Sequence, residues 1–363
     1  MNPVKRIALA LAAPVLAFAI AAICATLLLA ATDNDVAAFW YTMLTWPQNR
    51  QMVNILNGTG ILYLSGIAAA IGFRMNLFNI GVEGQYRIGA FVAAVVAGEA
   101  WLPGKANTVL AIVVAMVAGA LWAGIAGVLR VTRGVSEVIS TIMLNAIAGL
   151  LVGYLIGKVG VTTGVSTSTK TVPEESWVSG FKPFGDTPAE LYGLLILAVV
   201  VGIAYHVLLN DTRFGFNLRA TGRSESAAVA AGVDVKRMVV ISMLLSGAVA
   251  GLIGMPVLFG QAHNYGTSFQ TGIGFAGIAV ALLGRNNPIG IFLGALIFSF
   301  LAEQGNVLNI LAGVSPDIVA VTQGIIVLAV VIAYEVVRRY RVAIEQSTVA
   351  EQVAAAEPEE AKA

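Results

Sequence analysis

LSGIAAAIGFRMNLFNIGVEGQYR, residues 64–87, opens as a run of small apolar residues and closes on Asn79, Glu83, Gln85 and Arg87. Another apolar run begins at once, near residue 88. The stretch is either a loop between soluble helices or a break inside a membrane-embedded bundle. Composition decides between them. The chain has 363 residues, 58% of them hydrophobic and only 11% charged. A soluble domain is nearer half apolar and about a quarter charged. The apolar runs are long and lack period-two alternation, so they read as helices and not as barrel strands. The expected fold is therefore all-α, a polytopic membrane protein.

The same composition excludes several functions. A net charge of +1 provides no basic field for nucleic acid. One cysteine, Cys24, allows neither an internal disulfide nor a CxxC metal or haem motif. His206 and His263 are too few and too far apart to suggest a metal centre. There is no Walker A sequence, no HExxH and no GxSxG, and no nucleophile–base pair that would make a membrane enzyme. No cofactor is expected. Ionisable residues in or near the apolar runs are Glu83, Glu99, Glu137, His206, His263, Glu303 and Glu335. Several fall at run ends, where solvation or snorkelling is the cheaper explanation.

A bilayer core takes roughly 20 apolar residues per helix. On that length we place ten spans, near 7–31, 51–73, 88–102, 109–129, 138–157, 191–209, 238–260, 272–284, 288–303 and 318–337. The first run follows Lys5 and Arg6 but exceeds the ~7–15 residues of a signal-peptide core, so it is taken as a span. Lysine and arginine placement tests the count. With the N-terminus inside, the cytoplasmic segments hold Arg74 and Arg87, Arg130 and Arg133, the cluster Arg213, Arg219, Arg223, Lys236 and Arg237, then Arg285 and the tail arginines from Arg338. The outer segments keep only Arg50, Lys105, Lys158, Lys170 and Lys182. Ten spans with both termini cytoplasmic satisfy this bias. Residues 1–345 then form the transmembrane domain, with an outer loop at 158–190 and a basic cytoplasmic loop at 210–237. The tail, 346–363, has no hydrophobic face and is expected to be disordered.

LSGIAAAIG at 64–72 has a counterpart in LSGAVAGLIG at 245–254. Each lies in the second span of a five-span half, and each precedes a polar, Gly-containing stretch, 74–87 and 261–274. Five is odd, so the two five-helix halves would have inverted topology. Paired interruptions in inverted halves point to a transport path, because irregular backbone at membrane depth needs protein or a water-filled cavity beside it. Gly153 and Gly157, Gly247 and Gly251, and Gly290 and Gly294 recur at four-residue spacing and read as close helix packing.

In the first break, Asn79, Glu83 and Gln85 are expected to hold an irregular connection in place, with Gly81 and Gly84 permitting backbone conformations other residues resist. Glu83 either lines a path or accepts backbone N–H groups at the positive start of the following helix, the second being favoured. Asn76 and Asn79 can satisfy loop amides and carbonyls. Asn54, Asn57, Ser140, Thr141, Asn145, Gln261 and Asn264 offer uncharged hydrogen bonds to a solute or, singly, interhelical ties.

FRMNLFNIGVEGQYRIGA at 73–90 resembles the signature of bacterial ABC-importer permeases of the branched-chain amino acid and simple-sugar class, nearest the nucleoside-type branch. LRATGRSESAAVAAGVDVKR at 218–237 is similar to that class's cytoplasmic coupling loop, with Arg219, Ala220, Gly222, Ala227, Ala228 and Gly232 at matching positions. GIGFAGIAVALLGRNNPIG at 272–290 resembles its second-half signature, and the likeness runs from about 50 to 340. One departure is Asn76, where a small residue, often Gly, is expected. The resemblance implies a permease in a bacterial plasma membrane. Its implied partners are ABC ATPase subunits, a second and different permease chain, an extracytoplasmic solute-binding protein, a small polar solute and membrane lipid. A nucleoside is the expected solute, with a sugar or a branched-chain amino acid as alternatives. An ion-coupled secondary carrier is the rival from another class, but it has no use for the basic loop at 210–237. Within that loop, 218–232 is expected to be one short docking helix. Ser224 caps it, Glu225 lies in its first turn, Ala227 and Ala228 leave room for a partner, Gly232 ends it, and Arg219 and Arg223 reach acidic groups.

Overall fold

The computed structural model describes residues 3–340 and 346, apart from 165, 267, 268, 316, 331, 334, 335 and 338. The tail at 346–363 lies outside the described residues except for Gln346. The helices are α1 (Pro3–Ala31), α2 (Val36–Leu44), α3 (Asn49–Arg74), α4 (Val82–Glu99), α5 (Gly104–Arg133), α6 (Glu137–Val159) and α7 (Ile196–Asp211). They continue with α8 (Arg213–Arg223), α9 (Glu225–Ala230), α10 (Val235–Leu252), α11 (Met255–Val257), α12 (Ile273–Leu283), α13 (Pro288–Ala312) and α14 (Asp317–Val330). A π-helical turn, Leu258–Ala262, extends α11. The loop after α6 is not purely irregular. It carries a two-stranded antiparallel hairpin, β1 (Val161–Thr163) on β2 (Ser166–Ser168).

Every expected span coincides with a helix, yet among the described residues only six helices are long and apolar enough to cross a membrane by themselves. Four expected spans, 7–31, 88–102, 272–284 and 318–337, are not among these six, and for the middle two the reason is physical. The one at 88–102 is α4, which starts earlier, at Val82, and carries Glu83, Arg87 and Glu99. Most of α4 is buried against protein, Glu83 included, whereas Arg87 is half-buried and Glu99, at the helix end, is exposed and pairs with Lys170. The one at 272–284 is α12, whose 11 residues rise only ~16 Å, about half the hydrocarbon thickness. The ten-span count is therefore not matched by ten long apolar helices.

The chain divides into two compact units. Residues 46–303 form the larger, and 1–45 with 304–363 form the smaller. In the smaller unit, Leu29, Phe39, Leu308 and Val314 make an apolar cluster covered by Val36, Trp40, Met43 and Ile318. Asp35 caps α2 through Ala38 N, and Gln304 Nε2 donates to Thr42 O at 2.7 Å.

In the larger unit, α3, α4 and α10 form the interior and α5, α6 and α7 expose apolar residues outward. Helices α5 and α10 cross on backbone. A Cβ on Gly247 would lie 2.3 Å from Gly119 O, and one on Gly251 would lie 2.1 Å from Ala115 O. The small-residue spacing at Gly247 and Gly251 is thus a helix contact, as is Gly290 against Gly284 O. Gly153 and Gly157 are different, with nothing within 4 Å of a Cβ at either. Contacts also separate two ends of this unit. Arg74, Arg130, Gly222, Glu225 and Asn286 gather at one, Asn57, Lys105, Trp177, Glu190 and His263 at the other.

Candidate functional site

Helix α3 ends at Arg74, and α4 begins at Val82. The turn between them is built by side chains. Asn76 takes a left-handed conformation, φ 60°. Asn tolerates that region better than most residues, and Gly better still. This is why the departure at Asn76 from an expected Gly is accommodated. Gly81 and Gly84 do not act as their residue type first indicates. Gly81 has an ordinary φ of −77°, and Gly84 is helical. Space is what they supply. A Cβ on Gly81 would lie 2.7 Å from Gln85 Nε2, and one on Gly84 would lie 2.9 Å from Asn145 Oδ1.

Asn79 is fully buried and is the hub of this turn. Its Oδ1 accepts from Gly81 N at 2.9 Å and from Gln85 Nε2 at 3.0 Å. Its Nδ2 donates to Gln85 Oε1 and to Ser246 Oγ at 2.7 Å. Ser246 in turn donates to Ala68 O at 2.6 Å. Thus the serine of the second LSG copy holds the first break. The reciprocal tie exists: Ser65, of the first LSG copy, donates to Ile273 O at 2.9 Å, at the start of α12. The LSG repeat is visible in the sequence, but spacing alone does not distinguish its serines from its other small residues. The shared serine was the signal.

Glu83 joins the two signature stretches. It is 4% exposed. Oε1 accepts from Gly272 N at 2.9 Å, and Oε2 accepts from Gly274 N at 2.8 Å. The carboxylate therefore does accept backbone N–H groups at a positive helix end, but the helix is α12 and not its own α4. Gly274 makes the approach possible, since a Cβ there would lie 2.2 Å from Glu83 N. At the other end of α12, Arg74 donates through Nε and Nη2 to Asn286 O at 3.0 and 2.8 Å, and Tyr205 OH donates to the same carbonyl at 3.0 Å.

The candidate polar contacts separate into two groups. Asn145 is committed to the first break, accepting from Gly84 N at 2.8 Å and donating to Ile80 O at 2.9 Å. Asn57 is buried and pins the loop before α7, donating to Glu190 O at 2.9 Å and accepting from Tyr192 N at 3.0 Å. Ser140 and Thr141 bond back to carbonyls of their own helix. Asn54, in contrast, is exposed and touches Glu303 Oε1 at 2.9 Å. Gln261 is exposed and accepts from Tyr192 OH. Asn264 is half-buried and has no hydrogen bond among the described residues. Around these lie aromatic faces. Trp177 stacks on His263 at 3.7 Å, and Tyr265 stacks on Phe269 at 4.6 Å. Burial pushes the His263 imidazole pKa below the ordinary value, which keeps it neutral. We expect Asn57→Leu to cost about 2 kcal/mol by removing two hydrogen bonds. It should release residues 180–192 to proteolysis in purified protein, whereas Asn54→Leu should leave the cleavage pattern unchanged.

The segment expected to be a single helix at 218–232 is two helices, α8 and α9, broken at Ser224. The cap is where it was placed, with Ser224 Oγ accepting from Ala227 N at 3.3 Å, and Gly232 ends the turn at φ 83°. Ser224 is extended, φ −160°, because it closes α8 while capping α9, and that is why the helix cannot run through. Ala227, Glu225 and Arg223 are exposed, while Arg219, Ala220 and Gly222 are half-buried. Ala228 is 2% exposed, packed inside this chain and so unavailable to a partner. Gly222 also packs internally, since a Cβ there would lie 2.4 Å from Arg74 O.

Residues 51–333 match the family described as branched-chain amino acid transport system / permease component. The guanosine ABC transporter permease protein of Bacillus subtilis is 35% identical over 275 residues, 75% of this chain and 78% of that protein. A nucleoside ABC transporter permease protein of Lactococcus lactis is 31% identical over 297 residues, 78% of this chain and 80% of that one. A glucose ABC transporter permease protein of Haloferax volcanii is also 31% identical, over 78% of this chain and 76% of its own length. With its buried polar breaks, its apolar exterior and this match, the chain is a multi-pass membrane transport subunit, not an enzyme, and belongs to the branched-chain amino acid transport system permease family.

Proposed function

We propose that this permease carries a nucleoside into the cell as part of an ABC importer, with separate ATPase subunits, a second permease chain and an extracytoplasmic solute-binding protein. The observation that carries the reading is the 35% identity to a guanosine permease over 75% of this chain. Uncharged groups suit a nucleoside. Gln261, Asn264 and Tyr192 offer hydrogen bonds to ribose and base edges, beside aromatic faces of the kind on which a base stacks. Glu83, Asn57 and Asn145 position backbone in this reading. Asn54, Gln261 and Asn264 are left as candidates for the path. Reconstituted with its ATPase and partner permease, the complex should take up guanosine or uridine on ATP addition. Excess unlabelled nucleoside should compete, and glucose or leucine should not. Competition by glucose alone would replace the nucleoside with a sugar.

The reading includes ten membrane segments in two inverted five-helix halves, with α4 and α12 as the short members, and both termini inside. It also includes residues 1–345 as one transmembrane domain, 346–363 as a separate tail, and 158–190 and 210–237 on opposite sides. The reciprocal ties of Ser65 and Ser246, and the gathering of Arg74, Arg130 and Arg219 segments at one end, support it. Reporter fusions at residues 170 and 355 should read outside and inside. The same side for both would refute the topology.

Helices α8 and α9 are read as the ATPase-docking segment. The test belongs at Ala227, which is exposed, since a bulky residue at buried Ala228 would damage this chain itself. Ala227→Trp should leave the permease folded and reduce ATPase co-purification about tenfold, the effect of ~1–3 kcal/mol of overpacking at an interface. Normal co-purification and uptake in that variant would remove the docking assignment.

A further inference from the structure

We infer that Arg130 is a positioning residue for transport, linking the docking segment to the first break through Glu137. The inference rests on the reading of α8 and α9 as that segment. Arg130 lies in the last turn of α5, and Glu137 in the first turn of α6, with Gly134 turning the chain between them at φ 67°. The guanidinium holds two carboxylates. Nη1 donates to Glu137 Oε2, and Nη2 donates to Glu225 Oε1 of α9 at 3.4 Å. The second oxygen of Glu137 accepts from Phe78 N at 3.2 Å. Phe78 lies in the turn 75–81, one residue before Asn79, whose amide reaches Ser246 on α10. A continuous line of polar contacts thus runs from α9 through Arg130, Glu137 and Phe78 to the network that fixes both LSG stretches.

Two features separate this line from an ordinary basic loop. The first is a gradient of burial. The Glu137 side chain is 6% exposed, Arg130 29% and Glu225 59%. The inner pair is desolvated and resists separation, whereas the outer pair is long, exposed and easily broken. A joint that is firm toward the break and loose toward the docking segment can follow a partner that comes and goes. The second is a parallel contact. Helix α8 meets the same turn by backbone, with Gly222 against Arg74 O and Met75 Cα, where a Cβ would lie at 2.4 and 3.0 Å. Gly222 bears on the turn sterically while Arg130 holds it electrostatically, so α8 cannot shift without straining the first break, and α9 bears on it through the looser Arg130 contact.

The test uses the full complex in proteoliposomes with its ATPase subunits, partner permease and binding protein. ATP-driven uptake by the unaltered complex comes first, because its absence would undo the permease and docking reading and not the link. Arg130→Met should still co-purify with the ATPase and still hydrolyse ATP, but uptake per ATP should fall about tenfold, a typical coupling between distant sites. Glu225→Gln, at an exposed position, should shift uptake per ATP the same way by about threefold once uptake is referred to the amount of ATPase bound. The double variant should be no worse than Arg130→Met alone, because both changes cut one line. Wild-type uptake per ATP in both single variants, or losses that multiply in the double, would overturn the link. So would a defect in Glu225→Gln that simply tracks weaker ATPase binding. Should Arg130→Met fail to assemble, full coupling in Glu225→Gln overturns it alone.

Discussion

Gly251→Val should sharply lower the melting temperature and the recovery of folded permease, while Gly153→Val in the same chain should be recovered like the parent. Both are glycines in four-residue spacing on apolar helices, so sequence pattern treats them alike. Their surroundings differ. At Gly251 a Cβ would lie 2.1 Å from Ala115 O, and Gly89 approaches from α4 so closely that its own Cβ would lie 2.7 Å from Gly251 Cα. These neighbours are backbone and cannot swing aside. Valine there must push α5 and α4 away from α10, opening the contact between Gly119 and Gly247 one turn away. The cost is about 3 kcal/mol or more, the upper range for overpacking, because two backbones must move, and against a total of about 5–15 kcal/mol it removes a large part of the stability margin. At Gly153 nothing lies within 4 Å. The measurement is the monodisperse fraction and melting temperature in detergent of the chain expressed alone. Equal losses in both variants would show that small residues act here through the helix itself and not through the crossing.

Much of this architecture is legible in the residues. Length and apolarity locate the helices, and the LSG copies locate the breaks. Three things were not legible, each for a physical reason. Helix α4 begins six residues before the expected 88 because its polar residues are satisfied by distant partners, Glu83 by α12 and Gly84 N by Asn145 on α6. Window-based reading assigns such residues to a loop, since it prices them against lipid. The glycines at 81 and 84 suggest backbone freedom by residue type, and are there for room. That distinction depends on Gln85 and Asn145 lying opposite them, which spacing cannot reveal. Ala228 looked like part of a partner-facing surface because alanine permits close approach. The break at Ser224 turns it inward, leaving Ala227 outside. In each case local propensity was right about the backbone and silent about which neighbour the side chain meets.

The carboxylate of Glu83 supplies the second large effect. Glu83→Gln preserves size and removes charge. Its single amide oxygen can satisfy one of Gly272 N and Gly274 N, and its own NH2 must then face the other donor. At least one charge-assisted hydrogen bond is lost, and a buried N–H is left without an acceptor, at about 2–4 kcal/mol together. The helix-end attraction at α12 goes with the charge. Because Glu83 sits in the first signature stretch and its partners in the second, the loss is not confined to one element. The start of α12 should loosen from α4, and Ser65, which donates to Ile273 O between those two amides, should loosen with it. We expect a lower melting temperature in detergent, faster backbone hydrogen exchange at residues 272–276, and uptake reduced at least tenfold per assembled complex. Stability and uptake should fall together. A solute-contacting Glu83 would give a different pattern, with uptake lost, the melting temperature kept and exchange at 272–276 unchanged. The Glu83 geometry argues against that pattern, because both carboxylate oxygens already accept from backbone and the side chain is buried, leaving it little capacity to bind anything that passes.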